Sequence, residues 1–154
     1  ARLDATRRLD VRRREHAAIL ARLEEAERDE PEQLAARVPA RAVVAHRQQW
    51  TRDRLSADLR ARDVDVLLAC DNGADVLGTC VAEQPALLLV DELLAMRSGA
   101  EVVQEVRQFC PYTVVVGHVT DERGIGRLLD AGATAVFTAR ARPDRIVEEV
   151  VGLL

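Results

Sequence analysis

The stretch PALLLVDELLAMRSGAEVVQEVRQ, residues 85–108, decides the fold. It opens on an apolar run, residues 85–90, with no polar alternation. A strand of that texture has both faces covered, as in a parallel sheet. The run stops at Asp91 and Glu92. After Gly99 the pattern turns helical over residues 100–109, and Pro111 breaks it. A strand followed by a helix is the repeating unit of α/β sheets.

The same unit recurs on both sides. Residues 41–45 (RAVVA), 64–70 (VDVLLAC), 113–117 (TVVVG) and 134–138 (TAVFT) read as further strands. Residues 51–62, 74–83, 121–131 and 144–154 read as helices. Asp71, Asn72 and Gly73 supply a turn and an N-cap, Gly132 closes one helix and Pro143 opens the last. Five strands alternating with five helices predict one parallel, doubly wound α/β sheet, with residues 41–45 beside 85–90. In such sheets the site lies beyond the carboxyl ends of the strands. Those ends carry His46 and Arg47, Cys70 and Asp71, Asp91 and Glu92, Gly117 and His118, and Thr138 and Ala139.

Residues 1–39 have another texture and are expected to be a helical extension, a coiled coil or a linker, to an α/β domain at 40–154. Residues 1–30 lack Pro and Gly and are rich in Arg, Glu, Ala and Leu, all good helix formers. Leu9, His16 and Leu23 repeat at seven-residue spacing, as do Ala5, Arg12, Ile19 and Ala26, a partial coiled-coil stripe. A short second helix is expected at 32–38, between Pro31 and Pro39. Residues 2–14 hold six Arg and residues 24–32 six acids, against the preference of the helix dipole. Antiparallel pairing of two copies would set basic halves beside acidic ones, so a homodimer through residues 1–30 is expected.

The 154 residues are 48% apolar and 31% charged, as in an ordinary globular protein, and long enough to bury a core without staples. The net charge of −4 does not favour nucleic acid as a direct partner. Residues 1–62 carry 15 Arg against 11 acids, and residues 63–154 carry 7 Arg against 15 acids. There is no Lys, which removes Schiff-base chemistry and P-loops. Cys70, Cys80 and Cys110 fit no zinc spacing and read as small buried hydrophobes in a reducing compartment. No apolar run approaches 18 residues and no leader is visible, so a cytoplasmic protein away from the membrane is expected. No Ser-His-Asp arrangement, phosphate loop or metal spacing points to an enzyme.

Residues 41–154 resemble the receiver domain of bacterial two-component response regulators. The resemblance rests on LLACDNGADVL (67–77), on residues 85–108, and on LLDAGATAVFTARARPDRIVEEV (128–150). It implies a flavodoxin-like, five-stranded parallel sheet of order 2-1-3-4-5, with Asp91 at the phosphoacceptor position and Gly99 at the family's spacing. It also implies a face for dimerisation or output contacts on the last strands and helices, here with Arg127, Asp130, Arg140, Arg142 and Arg145, so a homodimer through that face is the alternative to one through residues 1–30.

The departures are concentrated at the site. The family's two Mg²⁺-holding carboxylates align with His46 and Arg47. Its hydroxyl after the fourth strand aligns with Gly117, and Thr120 lies three residues on. Its Lys aligns with Ala139, followed by Arg140, and its aromatic switch residue with Val136. Replacing two anionic ligands by an imidazole and a guanidinium removes the donors that Mg²⁺ uses. The expectation is therefore a degenerate receiver, or pseudo-receiver. It would have no metal, no cofactor and no enzymatic activity, would stay unphosphorylated at Asp91, and would act through protein contacts or dimerisation. Arg47 is expected to reach Asp91 as an ion pair. Two alternatives stand beside it. One is a receiver phosphorylated on Asp91 in a phosphorelay. The other is a small-molecule sensor using the space near His46, Arg47 and Asp91.

Overall fold

The computed structural model describes residues 38–154. The expected extension at 1–39, its coiled-coil stripe and its dimer lie, but for its last two residues, outside the described residues. Residues Ala40–Leu154 form a compact unit. Its elements run β1 (Arg41–Ala45), α1 (Gln49–Arg60), β2 (Asp65–Cys70), α2 (Gly73–Glu83), β3 (Leu87–Asp91), α3 (Gly99–Phe109), β4 (Val114–Val119), α4 (Arg123–Ala131), β5 (Ala135–Thr138) and α5 (Pro143–Val151).

The strands form one sheet of order β2-β1-β3-β4-β5, and every pairing is parallel. This is the expected flavodoxin-like topology. Central β3 is buried along its whole length, whereas edge strand β2 is only partly covered. That gradient follows from helices packing on both faces of the middle strands.

Strand alternation sorts the core into two layers. Val43, Leu88, Val90, Val102, Val106, Val115 and Leu128 fill the layer that includes α2, α3 and α4. Val44, Leu55, Leu59, Leu87, Leu89, Val116 and Val147 fill the opposite layer, under α1 and α5. Local signals set the helix starts. The Asn72 side chain accepts the Ala74 and Asp75 N–H groups at the start of α2. Ser98 and Glu101 form a reciprocal capping box on α3. Gly132, at φ +119°, ends α4 where an added Cβ would strike the Arg107 side chain.

Two boundaries differ from the sequence reading in ways that matter. The fourth strand continues past Gly117 through Val119, because His118 and Val119 pair with Phe137 and Thr138. Helix α4 starts at Arg123 rather than at residue 121, because the Asp121 carboxylate turns the chain by accepting the Arg123 N–H at 2.9 Å.

A buried His-Asp-His row as the candidate functional site

The site follows from strand register. Ala45 is level with Val90, so the next residues, His46 and Asp91, stand at the same height; Asp91 is level with His118. By alternation, all three fall on the α1/α5 side of the sheet, the side of Val44, Leu89 and Val116. Neighbouring parallel strands lie about 4.8 Å apart. Three polar side chains in one row at that spacing must meet.

They do meet. His46 Nε2 and His118 Nδ1 are 3.0 Å apart, with ring centroids at 4.9 Å. His46 Nδ1 accepts the Gln48 N–H at 3.1 Å and stands 3.5 Å from Asp91 Oδ2. With Nδ1 accepting, the His46 proton sits on Nε2 and is donated to His118 Nδ1. His46 is 2% exposed and Asp91 1%, while His118 is half-buried.

Burial sets the charge state of the imidazoles. It lowers the His46 pKa from 6.5 to about 4; Asp91 opposes this drop, while His118, Arg47 and Arg52 add to it. The His118 pKa is also lowered, first by burial and then by Arg47, against the pull of Asp91 and Glu92. Both rings are therefore neutral near pH 7.

Arg47 closes the site from outside. Its main-chain N–H donates to Asp91 Oδ2 at 3.0 Å, and its guanidinium Nε lies 3.5 Å from the same oxygen. The far end of the guanidinium donates to Thr120 Oγ1 at 2.8 Å. The expected Arg47–Asp91 pair thus exists, with Thr120 as its second anchor. Asp91 Oδ1 receives the Leu93 N–H at 3.4 Å. Arg52 donates to the His46 carbonyl at 2.8 Å.

Glu92 serves the loops around the site. It accepts the Thr120 N–H at 2.9 Å, and Gly124 packs so closely on it that a Cβ there would collide with its carboxylate. Gly99 brings α3 beneath the strand end, where a Cβ would run into the Asp91 carbonyl and the Glu92 backbone. That contact is the physical reason for a glycine eight residues after Asp91.

The remaining sequence candidates fall elsewhere. Gly117 is one residue short of the row and so belongs to the other layer. A Cβ at Gly117 would sit 2.5 Å from Leu128 Cδ1 and 3.4 Å from Val136 Cγ2. Ala139 lies in the turn beyond β5 and has no polar side chain to offer. His118, absent from the set of aligned positions, takes the place beside Asp91. Its signal was present in the sequence as a histidine at a strand's carboxyl end, but the strand had to extend past Gly117 to expose it.

The fold family implies Mg²⁺ at this position. The donors here are two imidazoles and one carboxylate, with a guanidinium on that carboxylate. Mg²⁺ prefers near-octahedral oxygen ligation, and this set does not fit it.

The fold defines the class: the architecture is that of response-regulator receiver domains. In fold, the described domain is similar to the signal receiver domain of the response regulator NarL from Mycobacterium tuberculosis. The TM-score is 0.68 at 24% identity, covering 75% of this chain and 95% of that one. The chemotaxis response regulator CheY4 of Vibrio cholerae gives 0.69 at 17% identity, over 76% of this chain and 100% of that one. No family model matches the chain. In sequence, 66 residues are 27% identical to the protein-glutamate methylesterase/protein-glutamine glutaminase 2 of Pseudomonas syringae pv. syringae. That match covers 43% of this chain and spans 20% of the relative's length. The same extent and identity hold for the corresponding enzyme 3 of Pseudomonas savastanoi pv. phaseolicola. Among the described residues, no helix is long and apolar enough to cross a membrane.

Proposed function

We propose that this domain is a degenerate receiver, a two-component signalling module that acts through protein contacts without phosphoryl chemistry at Asp91. The observation that carries the reading is the engagement of Asp91 Oδ2. That oxygen accepts the Arg47 N–H at 3.0 Å and has the Arg47 guanidinium and His46 Nδ1 each at 3.5 Å. A carboxylate nucleophile attacks through one oxygen, here the less engaged Oδ1, while its other oxygen helps to hold the metal ion, and Oδ2 is instead occupied by Arg47. It also needs cations that hold donor and acceptor oxygens together. One guanidinium tied to Thr120 supplies charge without that double coordination. Losing stabilisation of several kcal/mol slows the step by orders of magnitude, at about tenfold per 1.36 kcal/mol.

In this reading the domain catalyses no reaction. The surface offered to partners is the one built by β4, α4, β5 and α5, with Arg127, Asp130, Arg140, Arg142 and Arg145. Its charge is mixed, and Arg142 and Arg145 make exposed ion pairs with Asp144 and Glu149 that a partner's charges can replace. The test is incubation with acetyl phosphate and Mg²⁺, followed by intact-mass measurement, with Asp91→Asn as control. The expected result is an unchanged mass. A stoichiometric gain of one phosphoryl group, lost in Asp91→Asn, would overturn the reading.

A further inference from the structure

His46, Asp91 and His118 offer one donor atom each within 4.8 Å of one another, on three adjacent strands of a rigid sheet. The geometry points to a binding site for a divalent transition metal ion of the zinc class, held by these two imidazoles and one carboxylate. This goes beyond the phosphorylation-independent reading and does not rest on it.

The donor chemistry selects the ion. Two neutral nitrogens and one carboxylate oxygen suit Zn²⁺, Co²⁺ or Ni²⁺ and disfavour Mg²⁺. Three protein ligands leave a fourth position for water, the open arrangement of zinc sites. Donors on one tetrahedral ion at about 2.1 Å stand roughly 3.4 Å apart. The two facing imidazole nitrogens are at 3.0 Å, so they need almost no movement. The carboxylate must swing inward, and Oδ1 has capacity for it, since its contact with the Leu93 N–H is long at 3.4 Å.

A hydrogen bond now joins the two facing nitrogens. Placing an ion between them requires the shared proton to move from His46 Nε2 to Nδ1 of the same ring. No proton leaves the protein in that tautomeric change. Protonated His46 Nδ1 then gives up the Gln48 N–H that it accepts without the ion; Gln48 is exposed, so water replaces that bond. His118 is half-buried and provides the route in from solvent. Arg47 opposes the ion by charge repulsion. Its side chain is 35% exposed and can turn outward, so it weakens the site without blocking it.

The experiment uses the full chain, stripped with a chelator and titrated with Zn²⁺ by calorimetry and with Co²⁺ by visible absorption. One ion per chain is expected, together with a raised melting temperature, and Mg²⁺ should do neither. His118→Gln and His46→Gln should each weaken binding at least about tenfold. Arg47→Ala should tighten it, while His16→Gln and Cys70→Ser should leave it unchanged. Because His46 is buried, imidazole ¹⁵N spectra of the unsubstituted protein supply a reading without substitution. Zn²⁺ should shift the ring nitrogens of His46 and His118 and not those of His16. Absence of binding, binding retained in both glutamine variants, or unshifted His46 and His118 nitrogens would overturn the proposal.

Discussion

The interior of the sheet and its carboxyl edge differ by a single residue step. Along β3, Leu87, Leu88, Leu89 and Val90 are buried among aliphatic side chains, and Asp91 next to them is buried among imidazoles and an arginine. The interior keeps what a receiver-type sheet needs, which is two continuous apolar layers. The edge carries a nitrogen-rich cluster, two imidazoles and a guanidinium around one carboxylate. Burial of apolar area holds the sheet together whatever the strand ends carry. The chemistry at the edge can therefore change while the scaffold stays.

That contrast is open to attack. The largest effect belongs to the interior. Leu88→Ala removes a fully buried side chain from the middle of β3 and should cost about 2–5 kcal/mol in urea denaturation. His118→Gln, at the edge, should cost less than about 1.5 kcal/mol, roughly one hydrogen bond. If the two cost the same, the edge row holds the fold together and the contrast fails.

Gly117→Ser would add a hydroxyl at the position where the receiver resemblance counts one. The new Cβ would press on Leu128 Cδ1, in a layer that is already full. The expected loss is about 1–3 kcal/mol, from overpacking. The variant should acquire no phosphoryl group in the acetyl phosphate assay, because position 117 faces away from Asp91. A stable variant that gained phosphorylation would place Gly117 in the site.

The effect that is smallest at neutral pH is a pH dependence confined to the interior, which appears only in alkali. Burial raises the Cys80 pKa from 9.0 to about 12, and Cys110 adds to the rise; the Cys110 pKa is itself raised by burial. Between those limits the folded chain holds a proton that the unfolded chain has lost. Stability should therefore fall as pH climbs above about 9, by at most about 1.4 kcal/mol per pH unit for one thiol. Cys80→Ala should be less stable at neutral pH and should show a shallower alkaline decline. At pH 8 a thiol reagent should label the partly exposed Cys70 first and Cys80 last. Rapid labelling of Cys80 would show that its layer opens.

How much was legible in advance differs between these regions for the same reason. Runs such as residues 86–90 and 113–117 state their burial in composition alone, and residues such as Asn72, Gly73 and Gly132 state where helices start and stop. The observed strands depart from those spans by one or two residues. His46, Arg47 and Asp91 were legible as strand-end residues. His118 is legible too as a strand-end residue, but the resemblance assigns the site position to its neighbour Gly117. An error of one residue in a strand's end reverses which side chain faces the site.

Periodicity, turn residues and the absence of Lys were thus enough to determine the parallel α/β scaffold, and to exclude lysine chemistry. These are local properties, set by whether a short segment is covered on one side or two. The pairing of His46 with His118, residues 72 positions apart, was not available in that form. Neither was the capture of the Arg47 guanidinium by Thr120, nor the filling of the space above Gly117 by Leu128. Each depends on the register between strands and on which face a side chain takes, and both are settled only when the whole sheet closes its two apolar layers.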